Sequence, residues 1–444
     1  MWKYPLAAGG FLWDFADEGV VRTDKNGMID TDGNHGADGV VGPFHEKEGS
    51  YFAIKEIWAP VVFERKEITP EFNGNLPLEN RFFYTNINQC SFTWKLSKFS
   101  DPNNTTKEVS ITGKAISPDI KPLDKGNLHI SLPKNWKDFD VLYVTGFDNY
   151  KRQIFTWSCP ISMPDKIAQT IITRKGNEDI TVSESDSLYR VTANNIQLSF
   201  NRQSGILEQV KNASGIIPFN NGPVLQEGVN NFKNFTKHFD GRNLIIESTF
   251  DRKASYNTLQ WTIYPSGWVK MLVKYFPGEY FTNFVGVNFS FPENGVKSVR
   301  YLGNGPYRVW KNRMKGNSLG VWEKKYNNTA TGEQPIIYPE FKGYHSNMYW
   351  AKLITTGQPV TIVTDEEDIF LRLFTPKFSK DPYNTTALFP SGDISFMQGI
   401  TPIGTKTQKP ETTGPMGQKY IYYDYEKDPS RAKVLSLYFD FSGK

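Results

Sequence analysis

A β-hairpin is recognisable in the run LQWTIYPSGWVKMLV, residues 259–273. Apolar Leu259, Trp261 and Ile263 alternate with polar residues before the triplet PSG, and the alternation resumes after it. Alternation with a period of two places one set of side chains on a buried sheet face, and Pro, Ser and Gly are turn residues. The run therefore predicts two antiparallel strands joined by a tight turn.

Similar alternation occurs throughout residues 186–444, for example at Ile196, Leu198 and Phe200 before a turn at residues 201–205. So long a stretch of short strands predicts one large two-layered β-sandwich rather than two small ones. The sequence shows no internal repeat.

Residues 59–163 predict a second, smaller sandwich. About seven short strands in roughly 100 residues is the size of an immunoglobulin-like domain, and strands are expected at 81–86, 91–96, 109–112, 128–132, 140–145 and 153–157. The polar residues 164–185, beginning with Pro164, predict a linker.

Residues 1–58 have a different pattern. Residues 9–15 predict a short buried strand, residues 24–42 form a loop rich in Gly and Asp, and Tyr51, Ile54 and Trp58 recur at helical spacing before Pro60. Strand, loop and helix make one βα unit, which cannot stand alone. The overall fold class is therefore mostly β, with one βα unit in front.

Composition excludes several classes of function. The 444 residues carry a net charge of +4, too weak and too dispersed for nucleic acid or an anionic membrane. No apolar run reaches the ~20 residues of a membrane span, and Pro5, Gly9 and Gly10 interrupt the N-terminal apolar stretch, so a signal peptide is not predicted. Cys90 and Cys159 lack metal-ligand spacing and are expected to be buried thiols.

Five motifs resemble glycoside hydrolase family 2, the family of β-galactosidases. GGFLWDF at 9–15 resembles its last barrel strand, DGNHGADGVV at 32–41 an active-site loop, and LENRFFYTN at 78–86 the start of its immunoglobulin-like domain. FNRQSG at 200–205 and YLGNGPY at 301–307 resemble its C-terminal sandwich. The motifs follow the family order from end to end, and the match runs straight into Met1.

The resemblance implies a domain order for the chain. Residues 1–58 would be the last strand, loop and helix of a (β/α)8 barrel, 59–163 an immunoglobulin-like sandwich, 164–185 a linker, and 186–444 a galactose-mutarotase-like supersandwich. The rest of the barrel would precede this chain.

The implied activity is retaining exo-β-glycosidase action on terminal β-linked sugars. Such cleavage uses two carboxyl groups about 5–5.5 Å apart, and in the family both are Glu on earlier barrel strands. No catalytic residue is therefore expected here, and the isolated chain is predicted to be inactive. Asp14, Asp17 and Glu18 are interpreted as loop hydrogen-bond acceptors or solvated charges rather than as substitutes.

The predicted substrate-binding residues are Trp13, Asp14, His35 and Asp38. A Trp at the end of a barrel strand faces the active-site mouth, where its ring offers an apolar surface to a sugar; packing under the barrel is the alternative. His35 and Asp38 occupy the family's aromatic and Asn positions beside the sugar subsite and a monovalent cation. Asp38 has three interpretations: a cation ligand, an acceptor from a sugar hydroxyl, or the partner of a basic side chain.

No metal site or cofactor is predicted within the chain, although a monovalent cation or Mg²⁺ is conceivable in the complete enzyme. The resemblance places the segment 401–417 where members of the family send a sandwich loop toward the active site, some of them with a Trp in it. This sequence has no Trp there, and the segment is expected to be a surface loop. Tyr307, Trp310, Lys311 and Arg313 are interpreted as a packed turn, with glycan binding as the alternative.

Two other functions remain open at this level. A free-standing, non-catalytic carbohydrate-binding protein explains the sandwiches but not the barrel strand, and an assembly domain fits a homo-oligomeric enzyme. The expected partner is a carbohydrate of the β-galactoside type. The sequence does not distinguish a periplasmic from a cytoplasmic location.

Overall fold

The computed structural model describes residues 4, 6–7, 9–64, 67–104, 108–330, 336–377, 385, 387–423 and 427–444. Pro5, in the stretch preceding the glycine pair, lies outside this range. Most of the described elements are strands, which confirms the predicted β-rich class. None of the helices formed by the described residues has the length and apolar character needed to cross a bilayer.

The N-terminal segment, residues 9–58, has little core of its own. It contains the hairpin β1 (Val20–Arg22) and β2 (Met28–Asp30), followed by helix α1 (Gly49–Ile57). Among its described residues, Val41 and Ala53 are the buried apolar side chains. The helix confirms the prediction made from the spacing of Tyr51 and Ile54, and it ends three residues before Pro60.

The strand predicted at residues 9–15 is absent from the structure. The stretch is largely exposed and bends at Trp13 and Phe15, and its described backbone contacts are isolated bonds to residues 38–41 rather than a ladder. A strand is stabilised by hydrogen-bonded neighbours, and the described part of the chain supplies none on either side. The apolar pattern of residues 9–15 is typical of a strand, but a strand forms only where a neighbouring strand pairs with it.

The described residues of the smaller sandwich form seven strands. Sheets β3-β4-β7 and β6-β5-β8-β9 enclose a common core that includes Phe92, Leu96, Leu128 and Val144, with Cys90 and Cys159 buried as free thiols. The strands are β3 (Val61–Phe63), β4 (Asn75–Asn80), β5 (Ser91–Lys98), β6 (Val109–Ala115), β7 (Lys125–His129), β8 (Val141–Phe147) and β9 (Gln153–Pro160).

The strand predicted at 81–86 is wrong: β4 lies just before it. Asn80 ends the strand because its side-chain amide donates to the carbonyl oxygens of Thr85, Ile120 and Lys121. Its Oδ1 also accepts from the N–H of Phe82. Such Asx bonding competes with a ladder and turns the chain.

The segment predicted as a linker, 164–185, contains regular structure. Helix α2 (Pro164–Ile171) starts with a proline, which is favoured in the first turn of a helix, and it buries Ile167 and Ala168. Strand β10 (Thr181–Glu184) pairs with the next strand, so the large sandwich begins before residue 186.

The large sandwich begins with β10 and contains all the later strands. Among the described residues, 18 of these strands are hydrogen-bonded into one network, and β20 and β28 form a separate pair. Its core includes Trp261, Tyr301 and Phe439. The strands are β11 (Leu188–Ala193), β12 (Ile196–Asn201), β13 (Leu207–Asn212), β14 (Gly215–Ile217), β15 (Asn220–Leu225), β16 (Phe232–Asp240), β17 (Asn243–Phe250), β18 (Tyr256–Ile263), β19 (Val269–Tyr275), β20 (Phe281–Thr282), β21 (Val285–Ser290), β22 (Val296–Val309), β23 (Ser318–Lys325), β24 (Gly343–Thr355), β25 (Val360–Thr364), β26 (Phe370–Leu373), β27 (Ile394–Gly399), β28 (Tyr420–Ile421) and β29 (Lys433–Asp440).

The hairpin predicted from residues 259–273 is formed by β18 and β19. Ile263 pairs with Val269 and Leu259 with Val273. Trp261 and Met271 are fully buried on the core face.

Candidate functional site

The site predicted from the sequence lies on the surface of the N-terminal segment. Trp13 is 84% exposed, and Phe11 beside it is fully exposed. The N–H of Asp14 donates to the carbonyl oxygen of Asp38 over 3.2 Å, and the N–H of Val40 donates to the carbonyl oxygen of Phe15 over 3.0 Å. The structure thus brings the Trp13–Asp14 stretch alongside the Asp38 stretch.

His35 lies in the turn that precedes Asp38. Its N–H donates to the carbonyl oxygen of Asp32, and its Nδ1 lies 3.3 Å from the Asp32 carboxylate. About half of its side chain is exposed. The turn leaves the imidazole accessible from solvent.

Asp38 has a basic partner that the sequence did not reveal. Lys406 Nζ lies 3.0 Å from Asp38 Oδ2, and the Asp38 side chain is only 14% exposed. The second carboxylate oxygen, Oδ1, is buried and has no hydrogen-bond partner among the described residues. Of the three interpretations of Asp38, the structure favours the basic partner.

Lys406 belongs to the segment 401–417, which was expected to be only a surface loop. Its tip is a turn in which the N–H of Thr405 donates to the carbonyl oxygen of Gln408 over 2.9 Å. A second link joins the N-terminal loop to another loop of the large sandwich, because Asn34 Nδ2 donates to Thr385 Oγ1 over 3.0 Å. Loops of the large sandwich therefore complete the surface around Asp38.

Asp17 is a buried carboxyl group below this surface. Its Oδ1 accepts from the N–H of Gly39 over 2.8 Å. Burial raises the pKa of Asp17 to about 6; the Gly39 bond lowers it, and the negative charges of Asp38 and Glu46 raise it further. Its described bond fixes the backbone at Gly39, in agreement with its interpretation as a loop acceptor.

The described residues do not form an obvious cation site at Asp38. A cation there would face the Lys406 ammonium, and no group of three or more His, Cys, Asp or Glu in the described ranges is arranged to hold a metal. A cation in the complete enzyme stays a prediction.

Helix α1 fixes the N-terminal segment to the large sandwich. The ring of Phe52 stacks on that of Tyr307, with centroids 4.9 Å apart. Glu56 accepts from Lys315 Nζ at 2.9 Å and from the N–H of Gly316 at 2.7 Å. Gly316 has φ +90°, and a Cβ there would lie 2.4 Å from the backbone nitrogen of Ala53, so the contact requires a glycine.

A small polar cavity of about 40 Å³ lies where α1 begins. Tyr338 Oη donates to Glu48 Oε1 over 2.8 Å, and Arg308 pairs with Glu340 at 3.3 Å. Burial raises the pKa of Glu48 to about 7, helped by the negative charge of Asp17.

The aromatic and basic cluster at residues 307–313 is a packed turn. Trp310 is 3% exposed, and the N–H of Arg313 donates to its carbonyl oxygen over 2.8 Å. Lys311 Nζ donates to the carbonyl oxygen of Gln418 over 2.6 Å. With Tyr307 stacked on the helix, the cluster serves domain packing, as predicted.

Comparison with known proteins identifies the family. The family described as beta galactosidase small chain matches residues 170–391, half of the chain. A beta-galactosidase from Priestia megaterium (strain DSM 319 / IMG 1521) is 20% identical over 396 residues, covering 79% of this chain. This chain spans only 37% of that relative's length. The similarity confirms the resemblance to β-galactosidases, and the chain belongs to the beta-galactosidase small chain family.

Proposed function

We propose that this chain is the C-terminal part of a retaining exo-β-glycosidase of the β-galactosidase type, and that it completes the active-site mouth of a barrel carried by another segment. The family match and the Priestia megaterium beta-galactosidase support the type of enzyme. The catalytic carboxylates are assigned to the segment that carries the barrel.

The observation that carries the proposal is the exposed apolar surface of the N-terminal segment. Phe11, Trp13, Phe15 and Phe44 are all more than half exposed, with Leu12 nearly so. Exposed apolar side chains concentrated in one segment in this way indicate an interaction surface. Helix α1 docks the segment on the large sandwich through Phe52 and Glu56, and the exposed apolar side chains remain available to a barrel segment.

In the complete enzyme, we expect the barrel segment to supply catalysis and this chain to supply part of the sugar-binding surface. One carboxylate of the barrel attacks the anomeric carbon and the other protonates the leaving oxygen, before water releases the sugar. Trp13 supplies an apolar shelf for the sugar ring. Asp14, His35 and Asp38 border the subsite, and Lys406 fixes the carboxylate of Asp38.

A non-catalytic carbohydrate-binding protein is the alternative, and the same exposed Trp13 favours it. The two functions differ in what happens when a barrel segment is added. We expect the 444-residue chain to hydrolyse no 4-nitrophenyl β-galactoside by itself. Together with a segment that carries both carboxylates, encoded upstream or by a neighbouring gene, it should hydrolyse the substrate with retention of configuration.

The control distinguishes recognition by Trp13 from a general effect. In the reconstituted enzyme, Trp13→Ala should lower kcat/KM by about tenfold, since a lost aromatic contact costs ~1–3 kcal/mol. Tyr150→Ala removes an aromatic side chain of similar exposure on the smaller sandwich and should change nothing. Hydrolysis by the purified chain alone, or equal activity of the Trp13 variant, would refute the proposal.

A further inference from the structure

A large cleft lies far from Trp13 in the chain, between the smaller sandwich and the edge strand β23. Its volume is about 950 Å³, at the upper end of the range for pockets that bind small molecules. We infer that this interdomain cleft is a second carbohydrate site, which binds a neutral oligosaccharide without cleaving it. The inference does not depend on the catalytic proposal, because it concerns binding by the chain alone.

One wall is the outer face of the four-stranded sheet. Strand pairing places Thr112, Lys95, Tyr143 and Ser158 in one row across β6, β5, β8 and β9. A second row contains Lys114, Thr93, Thr145 and Thr156. Directly paired residues project from the same face. Of these residues, four Thr, one Tyr and two Lys line the cleft, and Ser158 lies outside its lining.

The opposite wall is β23, which pairs with β22 along one edge. Trp322 lines the cleft there, and its Nε1 donates to the carbonyl oxygens of Gly303 and Ser318 over 3.2 and 3.3 Å. Gly320, two residues before it, adds no side chain to this wall. The indole is partly buried against the core of the large sandwich, which fixes its orientation, and its remaining surface lines the cleft. That surface offers apolar contact to a sugar ring.

Direct bonds hold the two walls apart at a fixed spacing. At one end, Tyr143 Oη donates to the carbonyl oxygen of Leu319 over 2.6 Å, and the N–H of Leu319 donates to Ser158 Oγ over 3.0 Å. At the other end, Arg300 donates to Ser100 Oγ over 2.6 Å and to the carbonyl oxygen of Asp101 over 2.9 Å. The cleft is preformed, which lowers the entropic cost of binding.

The charges of the cleft favour a neutral ligand. Its described lining carries Lys95, Lys114 and Arg300 against Glu108 and Glu323. Lys95 Nζ lies 3.1 Å from Glu108, and Arg300 is 8% exposed and bonded to protein oxygens. Hydroxyl groups, paired charges and an aromatic surface suit a polyhydroxylated ring with apolar C–H faces. A polyanion requires a larger positive excess.

A peptide strand added to β23 is a poorer occupant of the same cleft. Strand addition uses consecutive free backbone groups at a sheet edge. The N–H and the carbonyl oxygen of Leu319 are already bonded to Ser158 and Tyr143. The free edge of β23 is therefore already occupied at Leu319, the second residue of the strand.

The test is electrophoresis of the 444-residue chain through native gels that contain soluble neutral galactan, neutral xyloglucan or acidic polygalacturonate. We expect at least one neutral polymer to retard the chain. Lys95→Ala, which removes a cleft donor, should weaken the apparent affinity about fivefold. Thr112→Trp, which fills the rim at an exposed position, should abolish retardation.

The controls locate the site. Lys98 lies on the same strand as Lys95 but outside the cleft lining, so the Lys98→Ala variant should be retarded like the parent. Loss of retardation in Trp13→Ala with unchanged cleft variants would place binding at the proposed active-site mouth and overturn this inference alone. Retardation only by polygalacturonate, or by no polymer, would also overturn it. Thermal denaturation checks that each variant is folded.

Discussion

Lys406 and Asp38, 368 positions apart in the chain, form an ion pair of 3.0 Å at the centre of the candidate site. The two side chains are 31% and 14% exposed. Their contact means that the shape of the N-terminal loop depends on a loop of the large sandwich. The family resemblance placed Asp38 beside the sugar subsite. The structure adds the Lys406 ammonium group as the ion-pair partner of its carboxylate.

The first prediction concerns the energy of this pair. A double-mutant cycle with Asp38→Asn and Lys406→Met, measured by urea denaturation, should give a coupling energy of about 1 kcal/mol, because the pair is only partly buried. The coupling should shrink in 1 M NaCl, where the Debye length is about 3 Å. Strict additivity of the two substitutions at low salt would contradict a stabilising pair.

The second prediction separates two tryptophans by their surroundings. Trp13 is 84% exposed and Trp310 is 3% exposed. Trp13→Ala should leave the free energy of unfolding within about 0.5 kcal/mol of the parent, whereas Trp310→Ala should lower it by about 3–5 kcal/mol. Equal losses in chemical denaturation would mean that Trp13 packs against the chain and is not a free binding surface.

The third prediction concerns the docking of helix α1. Phe52→Ala removes the stack on Tyr307 and should cost about 1–2 kcal/mol of docking energy. Amide hydrogen exchange in the helix should accelerate accordingly, while exchange in β18 and β19 should not change. Ile57→Ala, on the same helix but 55% exposed, is the matched control. Similar exchange rates in both variants would show that the stack does not hold the helix.

The sequence predicted correctly those elements whose hydrogen-bond partners lie close by in the chain. The hairpin of β18 and β19 was predictable because its turn residues and its two alternating strands are contiguous in the chain, and each strand supplies the partner of the other. The helix at Tyr51 and Ile54 was predictable for a similar reason, since its hydrogen bonds are internal.

Features that depend on distant partners were missed. The apolar pattern at residues 9–15 is typical of a strand, yet a strand forms only beside another strand, and the described chain supplies none. Lys406 carries no signal in a loop rich in Gly, Pro, Lys and Thr, because only the folded sandwich brings it to Asp38. Asp17 was interpreted from its loop position, but its burial came from the packing around Gly39.

The cavity at the start of α1 should make stability depend on pH. The charged groups around Glu48 are Asp17 and Glu340, which raise its pKa, and Arg313, which lowers it; the Tyr338 hydroxyl also lowers it. The outcome is a rise from 4.5 to about 7, with burial as the main cause. Between these values the folded chain binds a proton that the unfolded chain has released, so stability falls as pH rises.

The last prediction follows from that sign. The free energy of unfolding, measured by urea denaturation from pH 4.5 to 8, should fall with a contribution from Glu48 of up to about 1 kcal/mol per pH unit between about pH 5 and 7. Glu48→Gln keeps a group that accepts from Tyr338 but cannot ionise. It should reduce the slope to the part that Asp17 contributes, and it should be more stable than the parent at pH 8. Glu279→Gln, at an exposed position, should leave the slope unchanged. A slope in Glu48→Gln equal to that of the parent would mean that this carboxyl group stays ionised in the folded chain.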